Sequence, residues 1–308
     1  MRTTSVSLVI AVSVLTGCRG GADRHDGGSA SAAPATAARV QAAASPPMNA
    51  RALRDVTYER TSARLVRGRY LTEGVLQCFL CHSDRDWSSA GAPPVAGRKG
   101  AGHVFEDRPW LVAPNITSDR ETGAGSWTDD MFARAIREGI GHDGHVLDPQ
   151  MWYDAFRHLS DEDLASVIVY LRSLPPVRNS LPKTSIPKGR LVPSPQVLTA
   201  PVAPLDRSTA VARGRYLVQV ADCIGCHTAL ESPLSPGLFG GGNAVAMFGR
   251  PPVFSANLTR APSGIGSYYT PALLRAVLRT GHLKGRAIDP VMPWVVFGKM
   301  TDGDLDDV

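Results

Sequence analysis

The sequence predicts an all-α protein in which one small domain occurs twice. Arg67-Gly68-Arg69-Tyr70-Leu71 recurs as Arg213-Gly214-Arg215-Tyr216-Leu217, and Asn115-Ile116-Thr117 recurs as Asn257-Leu258-Thr259. From Gly123 onward the copies align without gaps at an offset of 141, pairing Gly125 with Gly266, Arg134 with Arg275 and Gly144 with Gly285. The same offset pairs Asp148-Pro149-x-Met151 with Asp289-Pro290-x-Met292 and Asp163-Leu164 with Asp304-Leu305. Self-similarity of this kind marks a duplicated unit. Within it apolar residues recur at helical spacing, and no stretch alternates at period two for long enough to claim a sheet.

The first copy spans residues 55–176. A helix is expected over 63–73, with Leu65, Val66, Tyr70 and Leu71 as its apolar or aromatic positions. A second is expected over 129–138, because Thr128 can cap its start and Gly139 its end. Ser160 opens a third: Asp161, Glu162 and Asp163 suit its positive end, and Leu164, Val167, Ile168 and Leu171 form one face. Pro175-Pro176 bars its continuation. Gly68, inside the first helix, costs about 1 kcal/mol relative to alanine. Its recurrence at Gly214 therefore implies a close helix crossing, with Tyr170 as the partner in copy one. The second copy, residues 207–308, reaches only the counterpart of Val167, so its third helix has barely begun. Either the sequence is a fragment or Gly214 faces an unfilled groove, and the second copy is expected to be the less stable. Residues 177–206 hold six prolines and read as an extended, semi-rigid linker packed over the surface.

The basic residues, 33 Lys and Arg against 28 Asp and Glu, are scattered, which excludes the footprint of a nucleic-acid binder. After Met1-Arg2 comes an apolar run from Val6 to Leu15, too short to span a bilayer and suited to a signal peptide. It ends at Leu15-Thr16-Gly17-Cys18, which resembles a lipobox with Cys18 as the acylated new N-terminus. Removing Arg2 with the leader takes the net charge from +5 to +4. Residues 19–54, rich in Gly, Ala, Ser and Pro, cannot bury enough apolar area to order themselves and read as a flexible tether. Arg19 in place of an aspartate slightly favours the outer membrane. The expected location is the periplasmic side of a bacterial membrane, held by lipid.

The other four cysteines form two strings, Cys78-Phe79-Leu80-Cys81-His82 and Cys223-Ile224-Gly225-Cys226-His227. Thiols three positions apart can add to the two vinyl groups of a haem, and the adjoining histidine then sits under the iron as proximal ligand. A redox dithiol or half a zinc site would also use Cys-x-x-Cys. The fused histidine, the duplication and the export signal favour haem, and two haem c groups are expected.

A thioether sixth ligand stabilises reduced iron, and a second histidine lowers the potential. Met151 and Met292 share one repeat position, each two residues after an Asp-Pro, and are the candidates, although a methionine is commonly core filler. Met131 and Met247 lack counterparts, and Met300 aligns with the apolar Leu159. His103, His142, His145, His158 and His282 are not held in both halves; a bis-histidine site through His142 or His145 stays open. The Asn-x-Thr strings suggest a structural turn or amide contacts near a haem edge.

These residues resemble the class I cytochrome c domain, and more narrowly the multi-haem cytochrome subunits of membrane-associated alcohol and gluconate dehydrogenases. The likeness rests on Arg-Gly-Arg-Tyr-Leu before the haem string, Ala113-Pro114-Asn115-Ile116-Thr117, and Gly123-Ala124-Gly125-Ser126-Trp127. It continues at Met151, Leu159-Ser160-Asp161-Glu162-Asp163-Leu164 and Tyr170-Leu171-Arg172. It implies two tandem domains, each a few helices wrapped around a covalent haem. Cys78, Cys81, Cys223 and Cys226 would carry the thioethers, with His82 and Met151, then His227 and Met292, as axial pairs. It also implies an electron carrier rather than an enzyme, with redox proteins as partners: a dehydrogenase subunit, other cytochromes or a terminal oxidase. Those subunits usually carry three haem strings and this chain has two. A di-haem peroxidase is the rival reading, but it needs one iron with an open position, and methionines placed alike in both copies argue against it.

Overall fold

Every helix leaves its first amide groups without partners inside the helix, and this chain meets them with hydroxyl side chains. The computed structural model describes residues 51–190, 192, 196–229 and 237–308. The leader, Cys18 and residues 19–50 lie outside them. The helices are α1 (Ser62–Gly74), α2 (Cys78–Cys81), α3 (Asp129–Glu138), α4 (Tyr153–Phe156), α5 (Asp161–Leu171), α6 (Ala210–Val220), α7 (Cys223–His227), α8 (Pro271–Thr280), α9 (Trp294–Phe297) and α10 (Asp302–Asp307). Thr61, Thr128, Ser160, Thr209, Thr270 and Thr301 each accept a backbone N–H three residues on, opening α1, α3, α5, α6, α8 and α10. Strand structure among the described residues is limited to antiparallel pairs two residues long, such as His103–Val104 with Val112–Ala113.

The expected helices are present, and the Gly68 crossing is real. A Cβ on Gly68 would lie 1.9 Å from the Ser166 carbonyl oxygen and 2.7 Å from Tyr170 Cβ, so α1 and α5 touch backbone to backbone. The expectation of an open groove at Gly214 is corrected. A Cβ there would lie 1.8 Å from the Asp307 carbonyl oxygen, because α10, though short, reaches just far enough to cover it. The ungapped offset of 141 also needs correction. Thr128 and Gly139 bracket α3 as Thr270 and Gly281 bracket α8, an offset of 142 that puts Ala276, not Arg275, opposite Arg134. The second copy has one extra residue at Tyr268-Tyr269 before α8, and drops one in the tighter hairpin of His282–Leu283 with Arg286–Ala287.

The two copies share a core. Leu71, Val75, Leu159 and Ile168 pack in one cluster with Leu217, Val220, Met300 and Leu305, and all described residues fall in one unit, 43–308. Residues 177–190 run without helix or strand against the first copy. Asn179 Nδ2 donates to the Ala101 carbonyl at 2.9 Å, Thr184 Oγ1 bonds both backbone groups of Val112, and Arg190 pairs with Asp148 at 2.5 Å.

Residues 51–54, assigned by the sequence to the tether, are instead held against the first copy. Arg51 pairs with Asp130 and Glu138, and the Arg54 amide donates to Asp130 at 2.7 Å. Ion pairs order this stretch where apolar burial could not. Among the described residues no helix is long and apolar enough to cross a membrane.

Candidate functional site

Both Cys-x-x-Cys-His strings fold as short helices entered through a residue in the left-handed region, Gln77 (φ 58°) and Asp222 (φ 55°). That entry turns the chain sharply enough for α1 and α6 to run straight into α2 and α7. No disulfide links the cysteines. Burial pushes the Cys78, Cys81 and Cys223 thiols up to about 12 and Cys226 to about 11. A redox dithiol works through a depressed pKa instead.

The histidines are held alike. His82 Nδ1 lies 2.8 Å from the Pro114 carbonyl and His227 Nδ1 lies 2.8 Å from the Ala256 carbonyl. A carbonyl only accepts, so the proton sits on Nδ1 and Nε2 keeps its lone pair. This is the tautomer that a metal-binding imidazole needs, oriented by the bond to its other nitrogen. Burial lowers both histidine pKa values and keeps the rings neutral.

Those carbonyls are set by the neighbouring Asn-x-Thr strings. Asn115 Oδ1 accepts from the Thr117 amide at 3.0 Å and its hydroxyl at 2.7 Å; Asn257 Oδ1 does the same to Thr259 at 2.9 and 2.7 Å. The strings are thus structural turns. Asn115 Nδ2 is occupied by the Val177 carbonyl at 2.7 Å.

Met151 ends a 3-10 turn, Pro149–Met151, whose start Asp148 caps by accepting the Gln150 amide at 3.0 Å. Asp289 accepts the Val291 amide at 2.9 Å just before Met292. Each aspartate is fixed by an arginine, Arg190 on Asp148 and Arg250 on Asp289 at 3.0 Å. The structure brings Cys78, Met151, Cys223 and Met292 against the same core cluster. Cys81 instead packs in a second cluster with Leu80, Phe105, Met247 and Phe248. A cavity of about 320 Å³ opens onto Cys226, lined among others by Trp152, Val245, Met247 and Asp222.

The other candidates are otherwise engaged. His142 stacks on Trp127 at 4.4 Å, His145 bonds Asp143, and His103 Nδ1 lies 3.0 Å from Asp84. Met131 sulfur accepts the Thr128 amide at the start of α3, and Met300 is buried in the shared core. Among the described residues no three His, Cys, Asp or Glu side chains gather as a metal cluster.

Sequence reasoning missed three features. Pro114 and Ala256 act through backbone oxygens, which no side-chain pattern reports. Arg85 is buried with its guanidinium over Trp87 at 4.4 Å and Phe248 at 5.1 Å. It donates only to the Ala92 and Gly91 carbonyls, and Nη1 has no partner; burial pushes its pKa down to about 10. Asp222, beside Cys223, is pushed up to about 6 by burial, against the opposing bond from the Gly225 amide. Its place before the first cysteine was visible; its burial was not.

The donor set fits covalent haem: paired neutral thiols and an imidazole with Nε2 free, beside a cavity whose lining combines Trp152, Val245 and Met247 with Gln150, Asp222 and Asn243.

No family model matches the chain. It is similar to cytochrome c subunits of dehydrogenases and to a di-haem cytochrome c. Against the fructose dehydrogenase cytochrome subunit of Gluconobacter japonicus it is 31% identical over 229 residues, covering 70% of this chain and 44% of that one. Against the gluconate 2-dehydrogenase cytochrome c subunit of Pantoea cypripedii it is 30% identical over 185 residues, covering 55% and 39%. Against a diheme cytochrome c-type protein of Cereibacter sphaeroides it is 26% identical over 159 residues, covering 49% and 53%. The chain spans less than half the length of the dehydrogenase subunits it matches.

Proposed function

We propose that this chain is an exported two-haem c-type cytochrome that passes electrons singly between redox proteins, one of them a dehydrogenase. The observation that carries this is the matched histidine pair, each ring holding Nε2 free by the same carbonyl bond beside two protonated thiols. Cys78 and Cys81, and Cys223 and Cys226, would each add S–H across a vinyl C=C, sulfur to one carbon and hydrogen to the other. His82 and Met151 would hold one iron, His227 and Met292 the other. Bound in this way, haem supplies a one-electron ferric–ferrous couple.

The chain's own part is to hold the couple rigidly and keep water away. Pro114 and Ala256 fix the imidazole planes. Asp148 and Asp289, each pinned by an arginine, fix the turns that carry the methionines. Gln77 Nε2 donates to the Ala221 carbonyl at 2.9 Å, so the two cysteine helices start side by side and an electron has a short path between copies. The dehydrogenase partner is supported by the relatives' names. A lipid on Cys18 would keep the protein on the periplasmic face of a membrane, the outer one slightly favoured.

The test is a pyridine haemochrome assay on protein purified from a host with haem-attachment machinery. Two haems per chain, and a weak far-red charge-transfer band in the oxidised spectrum, are expected. Absence of haem would end the proposal.

A further inference from the structure

Arg108 and Arg250 match in sequence, each beginning an Arg-Pro pair seven residues before the asparagine of an Asn-x-Thr turn, yet both lie on rings of the cluster around Cys81, Arg108 over Phe105 at 5.4 Å and Arg250 over Trp87 at 4.7 Å. Two charges beside the cysteines have no counterpart. Arg85 stands three residues after His82, where the second copy has Leu230. Asp222 precedes Cys223, where the first copy has the neutral Gln77.

The geometry makes both charges count. Arg85 is 8% exposed, sits on carbonyls and aromatic faces, and forms no ion pair among the described residues. The carboxylate acting on it, Asp289, is already paired with Arg250. Asp222 caps the start of α7, lines the cavity at Cys226 and accepts the Gly225 amide. Trp87 and Phe248, on whose rings Arg85 lies, pack in the cluster that holds Cys81, whereas Asp222 shares its cavity with Cys226. Any carboxylates that the haems bring are the same in both copies and leave this difference standing.

We propose that Arg85 and Asp222 poise the two sites unequally, so that the first copy is the electron sink of the pair and the second its donor. A cation beside a redox centre stabilises the reduced state, which carries one positive charge fewer; an anion stabilises the oxidised state. The internal step is one electron from the second copy to the first, oxidising one iron as it reduces the other, and no proton is needed. The inference rests on the two-haem reading above and adds a direction to it.

The experiment is a spectroelectrochemical titration of the full-length holoprotein near pH 8, where Asp222 is ionised, with haem content measured on the same sample. Two waves are expected. Asp222→Asn, which keeps a capping side chain, should raise the lower wave and leave the upper one in place. The shift should be about tenfold in the electron-sharing equilibrium, about 59 mV for a one-electron couple. Arg85→Gln should lower the upper wave. Because Arg85 is buried and its loss could unfold the chain, Arg85→Lys, which keeps the charge, provides a second arm and should leave the upper wave in place. Two haems sharing one potential, or an Asp222→Asn variant that moves the upper wave or neither, would overturn this inference and leave the two-haem reading intact. Fewer than two haems would overturn both.

Discussion

Tyr216 donates its hydroxyl to Asp163 at 2.6 Å across the copies, and Tyr70 donates to Asp304 in the reverse direction. The pair is reciprocal in detail. Each aspartate is the third residue of its helix, capped by Ser160 or Thr301, and each tyrosine oxygen also accepts the amide of that capping residue, at 3.3 and 3.4 Å. The two sequence repeats thus meet through reciprocal contacts, as two protomers do across an isologous interface. The two bonds are unequal, because Asp163 is buried and also held by Arg67 at 2.7 Å, whereas Asp304 is half-buried. A hydrogen bond to a charged group is worth about 1.5–3 kcal/mol. Tyr216→Phe should therefore cost about that much in denaturant unfolding, and Tyr70→Phe less. Equal losses would deny the difference in burial.

The same bonds set a pH window. The Arg67 and Tyr216 bonds hold the Asp163 pKa below its ordinary value in spite of burial, which is the largest influence and raises it. A depressed carboxylate contributes stability above its unfolded pKa, about 3.9, and that contribution is lost as pH falls through the folded value. Burial and the aspartates push Tyr70 up to about 12 and Tyr216 higher still. A raised tyrosine contributes fully below its unfolded value, about 10, and the contribution is lost as pH rises through the folded one. Stability should decline below about pH 4 and again above about pH 10, and Tyr216→Phe should flatten the alkaline limb. An unchanged alkaline limb in that variant would remove Tyr216 from the account.

Gly68 and Gly214 should both resist alanine. At Gly68 the new Cβ meets the Ser166 backbone in the middle of α5, which cannot retreat without parting the core. Overpacking of this kind costs about 3 kcal/mol, and the gain in helix propensity offsets only about 1 kcal/mol of it. At Gly214 the obstacle is again backbone, the Asp307 carbonyl oxygen at 1.8 Å, and Asp307 is itself held by Arg213 at 2.6 Å. Gly214→Ala should therefore cost a comparable amount. Thermal unfolding of the two variants, each followed by far-UV dichroism, checks both losses.

Much of the fold could be read from local chemistry. Thr128, Gly139 and Ser160 act where they stand in the chain, so their helices were predictable. The Cys-x-x-Cys-His strings are legible for the same reason. The misreadings share a different cause. An ungapped alignment has no means of seeing a residue gained at Tyr268-Tyr269 and lost again in the next hairpin, since the net offset is restored by Gly285. The carbonyls of Pro114 and Ala256 and the burial of Arg85 depend on chain segments brought together from a distance, as does the reciprocal tyrosine pair. The shared core has a further consequence: Leu217, Val220 and Leu305 pack with residues of the first copy. Any lower stability of the second copy is therefore to be sought in the whole chain rather than in separated halves.

The methionines give the sharpest remaining test of the site. Met151 and Met292 follow turns built in the same way, each capped by an aspartate that an arginine holds. Met131 and Met247 have no such turn: one accepts an amide at the start of α3, and the other fills the cluster around Cys81. A thioether ligand favours ferrous iron, so its loss lowers the potential and leaves a position open to small ligands. Met151→Ala and Met292→Ala should each remove about half of the far-red charge-transfer band, lower one redox wave and allow carbon monoxide to bind the reduced protein. Met131→Ala should do none of these. If Met151→Ala keeps the full band while His142→Ala or His145→Ala changes the spectrum, the first iron is held by two histidines, and the loop from Gly141 to His145 must move to bring the second one in.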